Sequence, residues 1–264
     1  MTVAVVILIG SVLSAPYPSD TRDEVAAIVQ RITRADYEGD RAVLKRLHGE
    51  LAPYAGHPTV AARVAYWRGF AMWRRALNGF NEAADRAELD QDLTQCVVDF
   101  RAAIARDPGS ADAKGGAASC LVNHSFLLLR SDAARARELF EQSAALLKEA
   151  LALAPDNPRL LWVHGANQFY SPAERGGGPT VALGTYERGL KLARQQRRSA
   201  DPLEPAWGEP ELLMNLAFAN LKLASPDALA AAEGYATQAL ALVPHWHYVR
   251  DILLPQIRTA KRGK

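Results

Sequence analysis

One short phrase recurs along the chain and decides the fold. It reads Arg101-Ala-Ala-Ile-Ala-Arg-Asp-Pro108, Lys148-Glu-Ala-Leu-Ala-Leu-Ala-Pro155, Glu187-Arg-Gly-Leu-Lys-Leu-Ala-Arg194 and Thr237-Gln-Ala-Leu-Ala-Leu-Val-Pro244. The third position is always small: Ala103, Ala150, Gly189 and Ala239. A small side chain there lets a neighbouring helix come close. In three copies a proline follows five residues later and stops the helix, because it cannot donate to the ladder. The third copy has Arg194 instead. The phrase therefore reads as the end of a packed helix, met four times.

Outward from these phrases, apolar residues recur three and four apart from Thr21 to about Lys261, and no stretch alternates like a strand. Leu93, Val97, Phe100 and Ile104 line one stripe. Leu139, Phe140, Ser143, Leu147, Ala150 and Leu151 line a second, and Val181, Leu183, Tyr186 and Leu190 a third. Each stripe needs a partner to bury it, so helices must pack side by side. Start signals fall between the stripes. Asn157-Pro158 and Ser225-Pro226 place a capping side chain before a proline at the first helical position. Glu209-Pro210 is a poorer version, and Thr21 and Glu24 have capping-box spacing.

The paired helices resemble the tetratricopeptide repeat (TPR), a 34-residue unit of two antiparallel helices with small residues near positions 8, 20 and 27, an aromatic near 24 and proline at 32. Gly165, Ala182, Tyr186 and Gly189 match one copy, and Ala217, Ala232, Ala236, Ala239 and Pro244 another. Gly69, Phe100, Ala103 and Pro108 match a third, and Ala118, Leu147, Ala150 and Pro155 a fourth. The small residues of successive phrases are 47, 39 and 50 residues apart, so each unit is enlarged between its two helices. The resemblance implies an all-α, right-handed α-solenoid over about residues 60–250. The expected organisation is a signal segment at 1–15, an N-terminal helical hairpin at 16–56 turning near Gly39-Asp40, and four enlarged helix pairs at 57–250. The C-terminal tail at 251–264 includes Ile252 to Lys261, which reads as a short terminal helix or tail, and its basic end is expected to fray.

The chain has 264 residues, with 31 basic and 29 acidic groups giving a net charge of +2. This near-neutral balance gives no electrostatic footprint for nucleic acid. Val3 to Leu13 is apolar apart from Gly10 and Ser11. It is too short to span a bilayer, which takes ~20 residues, and has the ~7–15-residue length of a secretory h-region. Met1 and Thr2 carry no positive charge, which points to a start codon further upstream. Cleavage is expected after Ser14. No cysteine follows the run, so a lipoprotein anchor is excluded. Export to the periplasm or medium follows, with membrane contact only through the transient signal; if the run is instead a buried element, the protein is cytoplasmic.

The stretch Asn157-Pro-Arg-Leu-Leu-Trp-Val-His-Gly-Ala-Asn-Gln-Phe-Tyr-Ser-Pro172, with Gly176-Gly-Gly178 and the later Trp207-Gly208, resembles uncharacterised, often secreted, bacterial tetratricopeptide proteins with a Gly-Gly-Gly loop. That resemblance implies no reaction. Gly176, Gly177 and Gly178 open a helix, where free N–H groups could hold an anion; a tight turn needing positive φ is the stronger reading. First helices of such solenoids line the concave groove. Trp162, Asn167 and Tyr170 fall on one, and Asn123, Asn215 and Asn220 on others. Asn amides suit a peptide backbone, having both donor and acceptor.

No metal-ligand spacing appears among the six histidines, and no nucleophile elbow or P-loop is present. The chain is therefore expected to be no enzyme and to use no cofactor. Cys96 and Cys120 stand twelve residues either side of Pro108. Helix axes ~8–10 Å apart, against the ~4.4–6.8 Å between Cα atoms that a disulfide wants, weigh toward two buried thiols. Small Ala117 and Ala118 leave a bridge open. The functional expectation is a scaffold that binds a protein or peptide segment in a concave groove. The alternative is a periplasmic solute-binding or transporter-accessory protein with an internal cavity, like the T component of TRAP transporters. An open groove would favour the first and an enclosed apolar cavity the second.

Overall fold

The computed structural model describes residues 21–197 and 199–263; the expected signal segment lies outside them. The described residues are helical, with no strand among them. A hairpin of α1 (Thr21–Glu38) and α2 (Arg41–Glu50) comes first. Four helix pairs follow: α3 (Ala61–Asn81) with α4 (Arg86–Arg106), α5 (Ala111–Leu128) with α6 (Ala133–Leu153), α7 (Pro158–Tyr170) with α8 (Pro179–Gln195), and α9 (Glu209–Leu223) with α10 (Pro226–Leu242). A π-helical segment, Tyr248–Leu253, leads into α11 (Leu254–Arg262). Each helix packs mainly on its sequence neighbours, which makes the chain an all-α solenoid of stacked pairs. No described helix is long and apolar enough to cross a membrane.

Local chemistry sets the boundaries. Asn157 accepts from the Arg159 N–H at 3.0 Å and Ser225 from Ala228 at 3.1 Å, with Pro158 and Pro226 at the first helical positions. At α9 the weak cap is rescued by Glu211, whose carboxylate accepts from the Gly208 N–H at 2.8 Å. The small positions of the repeat sit where a side chain has no room. A Cβ on Gly165 would overlap the Tyr186 ring, and one on Gly69 would lie 2.9 Å from the Phe100 ring. The α3/α4 and α7/α8 pairs thus close by an aromatic of the second helix seating on a glycine of the first.

Two features depart from the sequence reading. The C-terminal segment is a short helix, one of the two forms expected, but its basic residues are held in place rather than frayed. Ile257 is fully buried, and Arg258 and Lys261 both pair with Glu233 of α10. The solenoid also has a shared core. The connection between α8 and α9 turns back across the molecule to α3. Trp67 Nε1 donates to the Leu203 carbonyl at 2.8 Å, Trp207 Nε1 donates to the Tyr66 hydroxyl at 3.0 Å, and Arg63 pairs with Glu204. The Trp207 ring lies 5.6 Å from Trp73 and 5.7 Å from Trp162. At the far end Tyr37 of α1 meets Trp246 edge-on at 5.0 Å. The superhelix therefore winds back on itself around a cluster of aromatic rings.

Candidate functional site

The inner faces of the four first helices meet at one cavity of about 470 Å³. From α3 come Arg74, Leu77, Asn78, Phe80 and Asn81, spaced to share one helical face. From α5 come Ser119, Val122, Asn123 and Phe126. From α7 come Trp162, Ala166, Asn167 and Tyr170, and from α9 Met214, Asn215 and Phe218. Trp246 and Tyr248 close the C-terminal end.

Five of the six candidate binding residues, Asn123, Trp162, Asn167, Tyr170 and Asn215, thus surround one space. Asn220 does not. It is buried on another face of α9, and its amide donates to the Leu216 carbonyl at 2.9 Å. Asn123 likewise donates to the Ser119 carbonyl at 2.7 Å, which leaves its oxygen toward other partners. Trp162 is only 6% exposed and its Nε1 donates to the Glu211 carbonyl, so it offers a ring face rather than a polar edge. Tyr170 is 63% exposed and stands edge-on to Phe126 at 6.1 Å.

Arg74 was not legible as a site residue, yet it forms part of the cavity wall. Its guanidinium is 5.8 Å from the centres of both the Phe70 and Trp162 rings, and Nε donates to the Asp36 carboxylate at 2.7 Å. Its Nη1 is buried without an acceptor among the described residues. Behind it lies fully buried Glu211. Burial is the largest influence on that carboxyl and raises it above the ordinary range, against the opposing charge of Arg74 and the Tyr37 hydroxyl. The group is held polar and dry rather than open to a substrate. The signal that could have found Arg74 is its spacing with Asn78 and Asn81 on a first helix, polar residues recurring on an otherwise apolar face.

A second cavity of about 630 Å³ lies between α5, α6, α7 and the turn after Ser171. It shares Val122, Phe126, Asn167 and Tyr170 with the first, so the Phe126–Tyr170 ring pair stands between the two. Phe140, expected on a buried stripe, is 47% exposed and lines this space instead.

The Gly176–Gly178 turn does not offer free donors. The N–H groups of Gly176, Gly177 and Gly178 donate to the carbonyls of Ala173, Pro172 and Gln168 at 2.9, 3.1 and 2.8 Å. Gly176 and Gly178 have φ of +73° and +104°, the left-handed region that selects glycine. The turn is shaped by its own hydrogen bonds, and the anion-site reading falls with them. Cys96 and Cys120 are joined as a disulfide between α4 and α5, with Cα atoms 6.5 Å apart. Gly116 beside them takes the Phe100 ring, which lets the two helices approach more closely than the generic spacing suggested. No group of three His, Cys, Asp or Glu side chains placed to hold a metal occurs among the described residues.

No protein-family model matches the chain, and no curated protein matches it in sequence. Among solved structures, the chain is similar to the HusA haemophore from Porphyromonas gingivalis, with a TM-score of 0.57 and 18% identity over 74% of this chain and 92% of that one. It also aligns with yeast Tom70 at a TM-score of 0.41 and 11% identity, over 94% of this chain and 59% of that one. The likeness to HusA is one of fold.

Proposed function

We propose that this is a non-catalytic binding protein of the tetratricopeptide type, acting outside the cytoplasm, whose inner cavity takes a compact, flat and largely apolar ligand. One observation carries the reading. The solenoid winds back on itself, so the concave face is a pocket of about 470 Å³ rather than a groove running the length of the array. That volume lies in the ~300–1,000 Å³ range of small-molecule sites, which are mostly apolar with a few placed polar groups. Trp162, Phe126, Phe218 and Trp246 supply ring faces and edges, and Asn167 and Asn215 supply amides. An acceptor on the ligand that reached Arg74 would also satisfy its orphan Nη1.

An extended peptide is the second reading, favoured by the asparagines that successive first helices bring together. It suits the cavity less, since both ends of the array are drawn together. The Cys96–Cys120 disulfide supports export, because such bonds persist mainly in oxidising compartments.

HusA is described as a haemophore, and haem is flat and largely apolar, so haemin is the first probe. Titration of the purified protein should quench tryptophan fluorescence through Trp162 and Trp246. Ala166→Trp, which fills the cavity, should abolish the saturable component. Quenching that is unchanged by Ala166→Trp, together with saturable binding of extended peptides, would move the assignment to the peptide groove.

A further inference from the structure

The second cavity has a charge pattern that the first lacks. Its walls are apolar, with Phe126, Phe140, Leu147 and Leu151 facing a space of about 630 Å³. Two cations stand on its lining, Lys148 from α6 and Arg175 from the turn after α7. No carboxylate lines it among the described residues, and neither cation takes part in an ion pair there. His164 also lines the space, half-buried and with no hydrogen-bond partner among the described residues. Burial lowers its pKa, so it offers a neutral imidazole that can donate or accept one hydrogen bond.

An apolar chamber with unpaired cations on its lining is the complement of a molecule with an apolar body and an anionic head. The long stems of Lys148 and Arg175 can lie along the apolar wall while their charged ends meet the head group. An aliphatic amine would meet two like charges, and an alcohol would forgo the charge-assisted bonds. We propose that this chamber is a second binding site, for an amphipathic organic carboxylate, with Lys148 and Arg175 holding the head group and Phe140, Leu147 and Leu151 holding the tail. The site rests on its own residues and is independent of what fills the first cavity.

Dodecanoate, dodecylamine and dodecanol, each below its micellar concentration, test this by isothermal titration calorimetry on the full chain. Dodecanoate should bind saturably, and the amine and alcohol about tenfold or more weaker, the scale of one lost charge-assisted bond. The double variant Lys148→Gln with Arg175→Gln should weaken dodecanoate by about tenfold or more and remove most of its salt dependence. Both positions are exposed, so folding should be unaffected. Ala144→Trp, which touches only this chamber, should block dodecanoate and leave the haemin response intact, while Ala166→Trp should do the reverse. Equal affinity for dodecanoate and dodecylamine, or dodecanoate binding that survives Ala144→Trp, would overturn the assignment whatever haemin does.

Discussion

The hydroxyl of Tyr37 donates to the Glu211 carboxylate at 2.7 Å across 174 residues of sequence. The bond ties α1, in the first hairpin, to the start of α9, in the last pair. Each neighbouring contact in a solenoid is local, so this one measures how far the array has wound back. Tyr37→Phe removes the donor and leaves a buried carboxylate short of a partner. A loss of about 1–3 kcal/mol is expected in urea denaturation. A loss near zero would mean that the two ends are not held together by this contact.

The small positions of the repeat predict a packing penalty. A methyl on Gly165 would meet the Tyr186 ring first. Gly165→Ala should therefore cost about 1–3 kcal/mol, the usual scale of overpacking, although alanine is the better helix former. Gly184→Ala is the control, since nothing lies within 4 Å of a Cβ there. It should be neutral or slightly stabilising. Thermal melts of the two variants check the sign.

The Cys96–Cys120 disulfide closes a loop between residues 24 apart in sequence. The chain-entropy argument gives about 3 kcal/mol for a loop of this size. Replacing both cysteines by alanine should lower stability by that order. The melting temperature of the native protein should fall with dithiothreitol, while that of the double variant should not respond.

Asp99 predicts a pH dependence. Burial would raise its carboxyl, but hydrogen bonds from His48 and Gln95 and the charges of His48 and Arg68 outweigh burial and hold it below the ordinary range. A depressed folded value means that its stabilisation is fully present above the unfolded value of about 3.9. It is lost as pH falls through the lower folded value. Asp99→Asn should lower the melting temperature at neutral pH, and the gap to the native protein should narrow below about pH 4. A gap that widens on acidification would reverse the sign of this argument.

That five of the six candidates line one cavity was legible because a solenoid turns sequence period into a face. Placing Asn123, Trp162, Asn167, Tyr170 and Asn215 on first helices was enough to bring them together. Asn220 shows the limit of that rule. It lies five residues beyond Asn215, about 140° further round a helix of 3.6 residues per turn, so both cannot face one cavity. The closure was not legible. Trp67 meeting Leu203, and Tyr66 meeting Trp207, depends on how much each enlarged unit rotates against the next. That rotation is set by packing along the whole array and is written in no local pattern. The same closure draws the inner faces of the four first helices around one cavity.

The most direct test of the binding account is amide hydrogen exchange with and without haemin. New protection is predicted in the inner segments 74–81, 119–126, 162–170 and 214–218 and around Trp246–Tyr248. The outer helices α4, α8 and α10 should stay unchanged. Protection confined to those outer helices, or none at a saturating haemin concentration, would contradict it.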